Sequence, residues 1–588
     1  MAKIPAEIMQ LEEERKAAQE NEKGPLALPQ GLNAPYGYRI TKTSTYIVTE
    51  KDDGNEETRE IAPAGLYIAT RARDINTGHE KWQINVTRGD DQKFMLIDRG
   101  TAQHATKLVE LAAYGLPVNS VNSREIVKYL AAYEATNYKA LPTALTSAKM
   151  GWQSTGGYLL GTEYYTTGRE NVTFEPEDDN TRGLAKAFTA KGNIDEWLQI
   201  IKRAMLTSKH AQLAFYAAFI PPLLEVYGCP NFILDFAHRT SKGKTTTLRI
   251  AASVIGVPDE KQEQSALSTW DATPIYIERH LSAINGLPFI VDDTKRAKRP
   301  EDVARVLYTA AQGRGKGRGR PNGIAQTGTW RTVTISSGEQ PATSFTNDGG
   351  TRGRVLTITG SPFPDGSSKL VNSLNSGLLE HYGHGYAVVI PWLVENIEDR
   401  KDEWKRSYTS WRDHFTGKST DNVGSRLAAY MAAIYTTAEI VHIAFDELGH
   451  PLPWYRQDFD DIWETIIEEA GDELGDQEAL KATLAWATTN SNRFEGREDG
   501  NSKLDLLGKW DTGDDWQYIA IRQTAIAEFL SKNGHSPRQV FDAWKRNGYL
   551  DRPPTRRGFD TNIRLKGITV AGFIKIKREA FDILLSID

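Results

Sequence analysis

Cysteine is almost absent from this chain: Cys229 stands alone. One thiol excludes an intramolecular disulfide and any zinc site built from several cysteines, and it fits a reducing compartment. Long apolar runs are also missing. The longest nearly apolar stretch, Leu213 to Leu224, is short and is broken by Pro221 and Pro222, so no bilayer span is predicted. The first residues, MAKIPAEIMQLEEERK, carry no apolar signal core. The expectation is a cytoplasmic protein with no membrane partner.

Net positive charge is lacking too. The formal balance is −6, which by itself gives no hint of a nucleic-acid partner. Local fields differ from that average. Lys295 to Arg320 holds nine Lys/Arg against two acids, and Trp516 to Asp588 holds thirteen against seven. Asp458 to Glu478 holds ten acids and no base, and reads as a solvated helix face or a docking surface for a basic partner. Such segregation predicts surfaces with different tasks. Hydrophobic residues at 39% and charged residues at 25% are ordinary for a folded chain, and 588 residues predict several domains.

Residues 1–30 read as a polar arm ending near Gly24-Pro25. Between 31 and 183, β-like runs (TSTYIVTE, GLYIATRARD, KWQINVT, FMLI, YLLGTEYY) are interrupted by helical ATKLVELAAYG and REIVKYLAAYEAT, the pattern of an α+β domain. PEDDNTRG marks its end. Strands and helices then alternate over 184–370, and 371–515 is mostly helical. The last segment, 516–588, reads as helix IAIRQTAIAEFL, helix PRQVFDAWKRNG, then strands around the polar loop DRPPTRRGFD.

The sharpest motif is PNFILDFAHRTSKGKTTTLRIAASVIGV. An apolar strand enters a polar loop, His238, Arg239, Thr240, Ser241, Lys242 and Gly243, and Lys244 opens a helix. Loop N–H groups and a helix N-terminus then face one anion, the arrangement of a phosphate cradle. Lys244 would reach the β/γ-phosphates of ATP, Thr245 would ligate Mg²⁺, and Thr246 would support the α/β-phosphates. The usual pattern, GxxxxGK[ST], has glycine where this chain has His238.

A partner strand follows in LPFIVDD. Asp292 closes it where a carboxylate would hold Mg²⁺ through water, and Asp293 takes the place of a water-polarising acid, usually glutamate. WRTVTISSGEQP supplies a third strand ending in Ser336 and Ser337, either of which would orient water. In TNDGGTRGRVLTI, Arg352 and Arg354 precede a further strand, where an arginine can complete a neighbouring subunit's site. AAQGRGKGRGRPNG alternates Arg314, Lys316, Arg318 and Arg320 with glycines, suited to phosphates without sequence readout.

In their order these blocks resemble a family: MCM-like AAA+ self-loading replicative helicases of phages and staphylococcal mobile genetic elements, filed as a domain of unknown function. The resembling strings are Gly151-Trp152, TSKGKTT, STWDAT, LPFIVDD, YTAAQGRGKGR, ISSGE, HYGHGY and SRLAAYMAA, over residues 35 to 450. The resemblance implies a multidomain α/β chain: an N-terminal α+β domain, an AAA+ P-loop ATPase core, a helical lid and a C-terminal winged helix. It implies ATP and Mg²⁺ at Lys244, Thr245, Asp292 and Asp293, with Ser336 or Ser337 as first sensor. Arg354 is implied as the trans-acting finger and Arg426 as second sensor. It also implies a hexameric ring on single- and double-stranded DNA, other replication proteins of the element as partners, and a bacterial host cell. The glycine-arginine segment falls where a pore hairpin is expected.

In the last segment Val540, Phe541 and Trp544 form one apolar face, leaving Arg538, Lys545 and Arg546 outward, with Arg556 and Arg557 in a wing. Those bases suit duplex phosphates. Two other functions share the ATP motif: an NTP-regulated initiator that melts an origin without processive unwinding, and a P-loop phosphotransferase.

Overall fold

The computed structural model describes residues 24–585, apart from 177, 239–242, 298, 318, 321–322, 325–326, 346–352, 420–421, 454–455, 472–473, 498–504, 512–515, 534–536 and 552–557. The chain forms two compact units, divided between Lys186 and Ala187.

The first unit is built on a five-stranded mixed sheet, in the order Val172–Phe174, Thr143–Ser147, Gly65–Asp74, Glu80–Arg88, Asp91–Asp98. A three-stranded antiparallel sheet, Tyr38–Ile40, Thr45–Glu50 and Glu56–Ala62, accompanies it. Helix Ser123–Asn137 buries Ile126, Tyr129, Leu130 and Tyr133, spaced three and four apart, in a core with Trp82. The α+β alternation expected for this region is what the strands and helices show.

In the second unit the central sheet is parallel and five-stranded. Its order is Leu267–Thr269, Phe289–Asp292, Val333–Gly338, Phe232–Ala237, Val355–Ile358. All six residues of Phe232–Ala237 are buried, as a strand covered on both faces requires. Because every strand runs the same way, the loops after Ala237, Asp292 and Gly338 emerge on one edge. In open parallel sheets that carboxyl edge is where ligands bind.

Helices follow: Ser368–Glu380, His384–Gly417, Asn422–Glu447 and Arg456–Gly471. HYGHGY clamps the chain entering this unit. Tyr382 bridges Lys191, and Gly383 (φ 78°) sits where a Cβ would meet the Thr189 carbonyl oxygen at 2.3 Å. Only glycine fits so close an approach. Against expectation, one helix is long and apolar enough to cross a membrane, Gly424–Glu447, and 78% of its apolar window is buried inside the protein. Ala428, Met431, Ala432 and Ala433 lie in that core.

The acidic segment is not simply a solvated face. Lys209 pairs with Asp461 at 2.8 Å and Asp458 at 3.6 Å, while Lys418 and His414 reach Asp460 at 2.6 and 3.1 Å. Between these pairs Trp463 is fully buried and donates to the Phe415 carbonyl at 3.1 Å.

At the C-terminus the sequence reading needs two corrections. IAIR is strand Tyr518–Arg522 rather than the start of a helix, because it lies between two antiparallel neighbours and buries Ile519, Ala520 and Ile521. Helix Gln523–Lys532 begins after it. The domain core also starts before residue 516: Ala479, Leu480 and Ala487 of helix Leu474–Thr489 pack with Trp544, Ile574 and Phe581. The final hairpin is Thr561–Leu565 with Ile568–Lys577, downstream of the loop expected to carry Arg556 and Arg557, which lies outside the described residues.

Truncating Trp463 to alanine empties a large buried site and removes its hydrogen bond to the Phe415 carbonyl. A loss of about 3–5 kcal/mol is expected, read as a lower urea midpoint for the second unit.

Candidate nucleotide-binding site

At the carboxyl edge of the sheet, strand Phe232–Ala237 and helix Lys244–Ile255 are joined by the polar loop. Arg239, Thr240, Ser241 and Lys242 lie outside the described residues. Gly243 caps the helix with φ 99°, and a Cβ there would stand 2.6 Å from the Phe363 ring. Glycine is therefore required both for the turn and for the packing. His238, in place of the usual glycine, donates its backbone N–H to Gly338 O at 3.1 Å and accepts Lys244 Nζ on its carbonyl at 2.5 Å. The loop thus ties to the serine strand without a left-handed residue at 238. Thr246 is buried on the first turn.

The two motifs meet. Thr245 Oγ1 donates to Asp292 Oδ2 at 2.8 Å, and Ser337 Oγ donates to the other oxygen, Oδ1. Ser337 Oγ also accepts the Asp293 N–H at 3.2 Å. Asp293 has φ 61°, one of two non-glycine positive values among the described residues, and its carboxylate accepts the Lys295 N–H at 3.2 Å. Such outliers concentrate where geometry is over-determined by function. Burial pushes the Lys244 ammonium's pKa down, against the opposing pull of Glu339, Asp292 and Asp293. The Lys295 ion pair holds Glu339 below the usual carboxylate range.

These residues fit a magnesium nucleotide. Magnesium takes few protein ligands beside phosphates and waters, and here one hydroxyl and one carboxylate converge. Among the described residues no group of three His, Cys, Asp or Glu gathers for a metal.

Strand alternation separates the two serines. Ser336 lies opposite Asp235 in the register, on the face away from Asp292. Asp235 is a residue the sequence reading missed, hidden inside an apolar strand. It is fully buried, and its Oδ2 accepts the Ala342 N–H at 2.7 Å. Burial drives its pKa from 3.8 to about 7, restrained by the Ala342 N–H and the Ser336 hydroxyl.

The two arginines fall elsewhere. Arg354 immediately precedes Val355–Ile358, and its carbonyl accepts the Ile233 N–H at 2.9 Å. That is the amino edge of the sheet, about 17 Å along a six-residue strand from the phosphate loop. Arg426 lies one turn before Tyr430, which stacks on Phe232 at 4.6 Å and reaches Gly353 O at 3.4 Å. Both arginines are therefore beside each other's edge and remote from their own chain's loop. Arg352 lies outside the described residues.

The glycine-arginine segment folds as a hairpin. Arg314 bridges Thr329, Gly315 N donates to Gly328 O at 2.8 Å, and Gly319–Arg320 pairs with Gly323–Ile324. Arg314 and Lys316 are exposed, and Arg318 lies outside the described residues. In helix Pro537–Arg546, Arg538 is exposed, while Lys545 is half-buried with its ammonium 5.9 Å from the Phe559 ring. The Arg546 side chain, and Arg556 and Arg557 entirely, lie outside the described residues.

Two family models match the sequence: the domain of unknown function DUF927 at residues 38–330, and the Cch helix turn helix domain at residues 475–577. No curated protein sequence matches. Among solved structures, the SCCmec type IV Cch active helicase superposes with a TM-score of 0.65 at 18% identity, covering 93% of this chain and 98% of that one. The NrS-1 C-terminal region aligns over 86% of this chain and 95% of its own, at 10% identity and a TM-score of 0.24, too low to carry an argument.

Asp235 gives a pH test. Its folded-state pKa lies above the unfolded value, so its stabilising contribution is full below about pH 4 and is lost as pH rises to about 7. Asp235→Asn keeps an acceptor for Ala342 and should flatten that slope, measured as urea midpoints at pH 5 and pH 8. The chain thus carries a DUF927 domain followed by a Cch helix turn helix domain, and its fold is that of the SCCmec type IV Cch helicase.

Proposed function

We propose that this protein is an ATP-hydrolysing DNA helicase of a mobile genetic element, acting in the host cytoplasm as a ring of identical subunits, with six the implied number. The observation that carries the reading is the convergence of Thr245 and Ser337 on the two oxygens of Asp292, at the N-terminus of the helix opened by Lys244. The parallel sheet with this site on its carboxyl edge is read as an AAA+ core, the helices from 368 to 471 as its lid, and the C-terminal domain as a winged helix.

Lys244 would neutralise the β/γ-phosphates of ATP, and Thr245 with Asp292 would hold Mg²⁺. Bound magnesium supplies charge neutralisation on the phosphate oxygens. Asp293, fixed by its left-handed backbone and by Lys295, would polarise the attacking water, and Ser337 would position it. Of the two serines, Ser337 is the one that touches both acids. Arg354 and Arg426 share the edge opposite their own loop, which favours service to a neighbour's nucleotide. The Gly313–Trp330 hairpin would present Arg314 and Lys316, with Arg318 and Arg320, to single-stranded DNA.

Lys244→Ala should abolish ATP hydrolysis; retained turnover removes the assigned site. Arg354→Ala should also be inactive alone. Mixing the two variants should restore part of the activity, since some interfaces then pair an intact loop with an intact arginine. No recovery on mixing sinks the trans assignment. Replacing Arg314, Lys316 and Arg318 by alanine should weaken single-strand binding and reduce the salt slope by about 2–3, with ATP binding kept.

A further inference from the structure

On the face of the parallel sheet turned away from Asp292, one polar row crosses three strands. Asp235, inside Phe232–Ala237, stands opposite Ser336 on one side and Thr357 on the other. Residues paired in register share a face of the sheet. Asp235 is fully buried, and its Oδ2 accepts the Ala342 N–H at 2.7 Å. Its Oδ1 and the hydroxyls of Ser336 and Thr357 are sealed from solvent and have no partner outside the row. A carboxyl in so apolar a strand costs stability that a packed leucine would not.

Each member of the row lies on a strand that meets a motif of the nucleotide site. The Asp235 strand runs into the phosphate loop. Ser336 directly precedes Ser337, whose hydroxyl holds Asp292 and receives the Asp293 N–H. Thr357 follows Arg354 on the next strand. Ala342 opens the turn Ala342–Phe345, which packs on both flanking strands and leads toward Arg354. Helix Pro300–Gln312 packs on this turn with Val303, Val306 and Leu307 buried, and it points Glu301, Arg305 and Tyr308 to solvent. Its Asp302 pairs with Arg299 at 3.4 Å. Among the described residues of these elements, no charged group faces Asp235. Its pKa, lifted to about 7 by burial, is opposed only by the Ala342 N–H and the Ser336 hydroxyl, so the carboxyl changes charge near neutrality.

We propose that Asp235 is a positioning residue for ATP hydrolysis: ionised, it ties the Ala342 N–H and the Ser336 hydroxyl to its two oxygens, and so fixes how Ser337 presents Asp292 and Asp293 to the nucleotide. This rests on reading the site as an ATPase. Protonation turns one carboxyl oxygen from an acceptor into a donor. The Ser336 hydroxyl then has to reorient, and the serine strand loses one of its ties. Small displacements of groups around a reacting centre are enough to slow it, with about 1 Å costing on the order of a hundredfold. Asp235 lies on the far face of the sheet and touches no phosphate, so the cost falls on kcat and leaves ATP binding alone.

The test follows ATP hydrolysis by the full chain between about pH 5.5 and pH 8.5, in wild type, Asp235→Asn, Ser336→Ala and the double variant. Asparagine keeps an acceptor for Ala342 and carries a permanent donor, as the neutral acid does. Asp235→Asn should lower kcat about tenfold at the alkaline end with KM for ATP unchanged. The ratio of wild-type to variant kcat should fall toward one as pH falls through about 7, and this ratio cancels every titration the two proteins share. Ser336→Ala should show the same narrowing, which keeps the test alive if urea midpoints show Asp235→Asn unfolded. Combining the two should cost little more than either, because both remove one shared bond. A ratio that is constant across pH, additive effects, or a raised KM with kcat kept overturns the proposal. A wild type that binds ATP without hydrolysing it sinks the ATPase reading and this inference together. Hydrolysis abolished by Lys244→Ala but untouched by Asp235→Asn sinks this inference alone.

Discussion

The hydrogen bonds to Asp292 are the constraint from which the rest follows. A carboxylate at the end of an apolar strand, mostly shielded from water, needs donors on both oxygens. Thr245 supplies one from the phosphate-loop helix and Ser337 supplies the other from the neighbouring strand. Three segments far apart in sequence are thereby fixed at one point on the edge of the sheet. Strand order makes this possible: the serine strand lies between the acidic strand and the loop strand, so both partners are its neighbours. The backbone of Asp293 is bent into the left-handed region immediately beyond, and the Ser337 hydroxyl receives its N–H. The helices behind the sheet act as support, with HYGHGY holding the entry segment and the lysine pairs of the acidic helix drawing it onto the core.

Much of this site was legible because it depends on local chemistry. A glycine and lysine between a strand and a helix, and two acids closing an apolar strand, can be located through residue type and position, and the structure brings Thr245 and Asp292 of those motifs together. Which serine mattered was not legible. Adjacent residues in a strand face opposite ways, and only the register shows that Ser337 shares a face with Asp292 while Ser336 joins Asp235. Asp235 itself was hidden, since one acid in FILDFA looks like an interruption rather than the acceptor for a distant backbone N–H.

The fold was readable where periodicity and neighbours agree, and misread where they compete. IAIR joins without a break to a helical pattern, so its strand state is set by Gly508–Trp510 and Ile568–Lys577 on either side. Ten acids between Asp458 and Glu478 suggested a wet surface, yet Lys209, Lys418 and His414 pair with three of them, Asp458, Asp460 and Asp461. The length and apolar character of helix Gly424–Glu447 went unnoticed in the sequence, and 78% of its apolar window is buried inside the protein. In each case a contact distant in sequence decided the outcome.

The placement of Arg354 and Arg426 has a consequence for how turnover is controlled. On the trans reading, a solitary copy idles: it can capture fuel, but the groups that quicken cleavage belong to whichever copy stands alongside. Dilution then silences the motor, and crowding on a strand switches it on. On that reading, fuel use would be coupled to assembly by the span of a single β-strand.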